Sequence, residues 1–209
     1  MKYLKMIGLA AVAAMALMAF AGAGTASAAA VLCESGTTAP CATKWSTPKA
    51  LDFSLKKETS ARLTTTEGTP LNTCTTSTVE GTLSRNVSGE NAIGEVLAAG
   101  LTFGKCTTEG VKTLTGGTLT VTAALANGDG TVLADSFEVT VPGPFGSCVF
   151  TAGTGTHLGT LSEGKAGAST LVVNAIVNRV SGLCPTSAKW VAEYTLTSPT
   201  ETTLAVTSS

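Results

Sequence analysis

Six cysteines, Cys33, Cys41, Cys74, Cys106, Cys148 and Cys184, constrain this 209-residue chain more tightly than any other feature. An even count behind an export signal reads as three disulfides, because the compartment outside the cytoplasm is oxidising. Six cysteines allow many pairings, and sequential pairing is the expectation: 33–41, 74–106 and 148–184. The two long loops span 32 and 36 residues and echo each other. Closing each would cost the unfolded chain about 4 kcal/mol of entropy. A zinc site has no spacing to support it, since there is no C-x-x-C and only one histidine, His157.

The export signal occupies residues 1–28. Met1 to Lys5 is a short positive stretch, Met6 to Ala23 is uncharged and mostly apolar, and Ala26-Ser27-Ala28 is a small-residue cleavage site. The run is long enough for an anchor, but the cleavage site favours removal, with Ala29 as the mature start. No stable membrane insertion is expected after cleavage. Of 13 basic and 14 acidic residues, Lys2 and Lys5 leave with the signal, so the remainder carries 11 against 14, a formal charge of −3. That charge is too small and too evenly spread to suggest a nucleic-acid partner or a lipid-headgroup surface. About 180 residues remain, enough for a real core.

Period-two alternation dominates those residues and predicts an all-β fold, an antiparallel β-sandwich or a barrel stapled by three disulfides. Leu51, Phe53 and Leu55 share one face, and Ala61 to Thr66 is expected to pair with them across a Lys/Glu turn. Cys74 to Leu83 is a Thr-rich strand. The run 92–103 reads as strand or two short strands, because Gly94 and Gly100 each cost a helix about 1 kcal/mol. Thr118–Leu125 and Thr131–Val141 flank Asn127-Gly128-Asp129-Gly130, the strongest hairpin signal in the chain. Pro142-Gly143-Pro144 ends that hairpin. Thr170–Val180 has one apolar face, and Lys189–Thr197 places Trp190, Ala192 and Tyr194 together. Thr202–Val206 is a final short strand. Threonine, about a fifth of the mature chain, suits both strands and a solvated face.

The expected organisation is a signal peptide (1–28), a disulfide-pinned head (29–48) and an antiparallel β domain (49–209). Two parts of that domain, 49–125 and 131–209, follow a similar plan of strand, cysteine, Gly-Thr-Leu, apolar run, cysteine and strand. They are candidates for related halves.

No catalytic constellation is evident, and no cofactor or metal is expected. His157 sits in a Gly/Thr tract with no G-x-S-x-G elbow elsewhere. Ser54–Lys57 and Ser162–Lys165 match S-x-x-K without its partner motifs. Glu80, Glu95, Glu138, Glu163 and Glu193 cannot be paired across a cleft from spacing. Asp129 lacks the following oxygen ligands of a calcium loop. The candidate binding surface is therefore Trp45, His157, Trp190 and Tyr194, with the Gly/Thr tract 153–160 as a candidate loop. Trp45, Trp190 and Tyr194 also suit core positions.

The segment at Cys148 and the later run of Cys184, Ala188, Trp190, Ala192, Tyr194, Leu196-Thr197 and Pro199 carry a resemblance. Together with the signal peptide, they make the chain similar to uncharacterised secreted, cysteine-containing all-β proteins of actinobacteria. The resemblance implies an exported β protein and carries no activity. The expected function is a secreted, disulfide-stabilised β protein with a binding or cell-surface role toward an extracellular or cell-envelope ligand. A secreted hydrolase acting on polysaccharide or peptide, and a self-associating surface protein, are the alternatives.

Overall fold

A computed structural model describes residues 29–34, 41–124, 127–143, 146–164, 166–200 and 203–208. The expected signal peptide therefore lies outside the described residues, as do Leu125, Pro144, Lys165 and Thr202. The described residues form fifteen strands and one short 3-10 turn.

All three expected disulfides are present, 33–41, 74–106 and 148–184. The all-β expectation resolves to a barrel, and its topology is a simple antiparallel meander. The strands in chain order are β1 (Ala30–Cys33), β2 (Lys49–Leu55), β3 (Ala61–Thr64), β4 (Pro70–Arg85), β5 (Ala92–Val96), β6 (Leu101–Cys106) and β7 (Lys112–Thr115). They continue with β8 (Gly117–Ala124), β9 (Gly130–Asp135), β10 (Phe137–Gly143), β11 (Gly146–Ala152), β12 (Thr156–Leu161), β13 (Thr170–Ser181), β14 (Ser187–Ser198) and β15 (Ala205–Ser208).

Several neighbours are two pieces of one interrupted strand. β2 and β3 both run antiparallel to β4, and so do β5 and β6. β7 and β8 both pair with the β9–β10 piece, which pairs in turn with β11 and β12. Counted this way the barrel has eight members, and β14 closes it by pairing with β13 on one side and with β2 and β3 on the other. Closure removes the sheet edges that would otherwise seek partners.

One expected pairing is corrected. Ala61–Thr64 does not fold back on Leu51–Leu55, because the residues between them make an outward excursion and not a reversal. Glu58 sits at φ 63° and Thr59 N–H donates to the Lys56 carbonyl, after which the chain resumes its original direction. The expected strand from Thr131 to Val141 is likewise split, at Ser136 (φ 67°). The Gly/Thr tract 153–160 is mostly strand: the turn ends at Gly155 and β12 begins at Thr156. The 92–103 run is two strands around the Ala98–Gly100 turn.

The pleat sorts each strand. On β13, Leu171, Val173, Ala175 and Val177 point into the barrel. On β14, Ala188, Trp190, Ala192, Tyr194 and Leu196 do the same. Burying a Leu- or Val-sized side chain contributes roughly 1.5–3 kcal/mol, so these interior rows dominate the stability.

The two ends of the barrel differ. At one end β1 and β15 pair with each other, Val31 opposite Thr207, and lie against three turns. Leu32 N–H donates to Asn86 Oδ1 at 2.8 Å, and Ala30 N–H to Asn91 Oδ1 at 3.1 Å. Val206 N–H donates to the Gly128 carbonyl, and Leu204 exchanges bonds with Gly164. This end is plugged. At the other end no strand crosses the barrel among the described residues, and the rim is held by Cys74–Cys106 and Cys148–Cys184.

Candidate binding cavity

Alternation along the strands supplies the interior of the unplugged end. Leu63 on β3, Phe103 on β6, Val139 on β10, Phe150 on β11, Val177 on β13 and Trp190 on β14 converge there around a cavity of about 60 Å³. Counting all the space between its walls, open solvent included, the same cavity amounts to about 540 Å³. Leu63, Phe103, Val111, Val139 and Trp190 are only partly buried, whereas Leu32, Trp45, Leu204 and Val206 at the plugged end are wholly buried. The difference marks where the barrel opens. A second void of comparable size, about 50 Å³, or about 530 Å³ counting open solvent, lies beneath the plug against Leu32.

The opening has a seam beside it. β6 and β7 are successive in the meander, yet each forms its ladder elsewhere, β6 with β4 and β7 with β10. The Thr113 hydroxyl bridges them, donating to the Leu101 carbonyl at 2.6 Å. Phe103 and Val111 line the cavity on either side of this seam.

The rim is tied down by Asn72. Its Oδ1 accepts from Thr73 N–H at 2.8 Å, from the Thr107 hydroxyl at 2.8 Å and from Thr108 N–H at 3.3 Å. Its Nδ2 donates to the Thr108 carbonyl at 2.9 Å. This fastens the loop after β6 to β4 beside the Cys74–Cys106 disulfide. A rim fixed in advance loses little conformational freedom when something binds.

No charged side chain lines the cavity. The pleat explains this: inward residues on β4, β5, β10 and β14 alternate with outward Glu80, Glu95, Glu138 and Glu193. Glu193 instead pairs with Lys56 on the outer surface. Among the described residues, no group of three His, Cys, Asp or Glu side chains comes together as a metal site.

The four aromatic or histidine candidates fall in four different settings. Trp45 is 2 % exposed, packed under the plug, with its indole N–H donating to the Thr203 carbonyl at 3.1 Å. His157 is exposed on the outer face of β12. Tyr194 is fully buried inside the barrel and bonded to Ser77. Burial holds its phenol protonated well above the usual tyrosine range. Trp190 is the one that lines the cavity, with its ring edge-on to Phe103 at 6.1 Å between centroids. Its indole N–H is buried with no hydrogen-bond partner among the described residues.

Leu63, Phe103, Val139, Phe150, Val177 and the rim residue Asn72 were not legible as a group from the sequence. Their inward orientation follows from alternation, but their meeting depends on which end of a closed barrel is left open. No family model, curated protein or solved structure matches the chain.

Proposed function

We propose that this protein is an exported binding protein that holds a small apolar molecule in the unplugged end of its barrel. The observation that carries the reading is the asymmetry of the barrel. One end is sealed by β1 and β15, while the other presents an uncharged, aromatic-lined concavity inside a stapled rim. Eight-membered barrels are wide enough to hold one small ligand, and small-molecule sites are concave, mostly apolar and largely pre-formed. At about 60 Å³ the cavity is smaller than the roughly 150 Å³ that holds benzene in an engineered cavity, so a ligand would also fill space at its open mouth. The reading of residues 1–28 as a signal supports binding outside the cytoplasm.

The test is a titration of isotope-labelled protein with benzene, followed by NMR. Saturable shifts are expected at Leu63, Val139, Val177 and Trp190, with Leu32 and Val206 unmoved. Absence of any saturable shift up to the solubility limit of benzene would sink the reading.

A further inference from the structure

We propose that the Trp190 indole N–H is the polar recognition group of this cavity, and that its ligand is an uncharged, largely apolar molecule presenting one hydrogen-bond acceptor, such as a carbonyl or ether oxygen. This rests on the binding reading above and specifies what is bound. Among the described residues, Trp190 Nε1 is the one buried side-chain polar atom without a partner. Buried donors are ordinarily paired, and one left unpaired is costly. The same chain satisfies its other indole: Trp45 Nε1 donates to the Thr203 carbonyl. The buried hydroxyls of Tyr194 and Ser77 are likewise satisfied by each other and by the Thr102 carbonyl.

The polarity of the ligand follows from what is free. Asn72 Oδ1, the side-chain acceptor in the lining, already takes three bonds. An amine or ammonium would find no acceptor there, and a charged group would find no counter-charge. A carbonyl or ether oxygen needs only the donor that Trp190 offers, and its carbon frame meets Phe103, Val139 and Val177. The Trp190 ring stands edge-on to Phe103, 63° between planes, within the same cavity lining.

The experiment compares two probes of the same shape, cyclohexanone and methylenecyclohexane, which differ only in the acceptor. Cyclohexanone is expected to bind about fivefold more tightly, the size of one net neutral hydrogen bond. The Trp190 indole N–H resonance should move downfield with cyclohexanone and not with methylenecyclohexane, while the Trp45 resonance stays put. Trp190→Phe keeps an aromatic ring and removes the donor, so the two probes should then bind alike. If that variant fails to fold, the wild-type resonance decides the matter alone. Equal binding with an unmoved Trp190 resonance would overturn the proposal and mean that water or the Phe103 ring satisfies the N–H. Failure of both probes to bind would overturn the binding reading itself and this proposal with it.

Discussion

The phenol oxygen of Tyr194 lies 2.9 Å from Ser77 Oγ, and Ser77 Oγ in turn donates to the Thr102 carbonyl at 2.6 Å. The serine oxygen thus accepts from the phenol while its own proton goes to the backbone. A strand near the end of the chain is joined through this relay to β4 and β6, with no polar atom of the relay left over.

The relay predicts an alkaline limit to stability. Burial raises the Tyr194 pKa above the ordinary tyrosine value of about 10, so the native state keeps a proton that the unfolded chain releases. Stability from this group is therefore full below about pH 10 and declines as pH rises beyond it. Tyr194→Phe should lose about 1 kcal/mol at neutral pH and show a shallower alkaline decline. Urea melts from about pH 8 to 11 check this; parallel declines in the two proteins would refute it.

Asn86 latches the plug. Its Oδ1 accepts from Leu32 N–H at 2.8 Å, and its Nδ2 donates to the carbonyls of Leu32 at 2.8 Å and Trp45 at 3.0 Å. Asn86→Ala would strand the Leu32 N–H and the Trp45 carbonyl in a buried setting, at a cost of about 3 kcal/mol. Hydrogen exchange at Val31, Leu32 and Cys33 should accelerate more than exchange in β13. Uniform acceleration across the barrel would show that the latch is not local.

Ala152 is buried and points into the cavity. Ala152→Leu should occupy that space with a stability change within about 1.5 kcal/mol of the parent, since filling and overpacking oppose each other. Benzene binding should weaken at least tenfold. Unchanged binding in a folded variant would place the site elsewhere.

The long-loop disulfides should dominate the redox sensitivity. Replacing Cys148 and Cys184 by alanine is expected to cost about 4 kcal/mol, and Cys33 with Cys41 about 2.5 kcal/mol, because the closed loops differ in length. Chemical denaturation of each double variant measures the difference. Gly182 adds a local constraint: at φ 95°, a Cβ there would lie 2.6 Å from Cys148 Sγ. Gly182→Ala should therefore also destabilise this rim.

Local patterns were legible and closure was not. The alternation at Trp190, Ala192 and Tyr194, the Asn-Gly-Asp-Gly turn and the cysteine spacing each act within one strand, one turn or one loop. The contact of β14 with β2 and β3 joins distant segments, and nothing local to either encodes it. For the same reason Ala61–Thr64 resembled a hairpin partner of Leu51–Leu55. A five-residue Lys/Glu-rich break looks the same whether the chain reverses or steps outward, and only the pairing of both pieces with β4 distinguishes them. Trp190 and Tyr194 were visible as face-mates. That one is satisfied and the other is left with an idle donor depends on Ser77, far away in sequence.

The pairing of β1 with β15 also sets an order of events. β1 is among the earliest described segments, yet its partner ends at Ser208. Until β15 is in place the plug is incomplete, and Leu32 and Trp45 lack the cover that Val206 and the Thr203 carbonyl give them. A chain made or threaded from its N-terminus can become a cup only once β15 has joined β1, so any molecule meant for its interior meets a one-mouthed vessel only after that pairing.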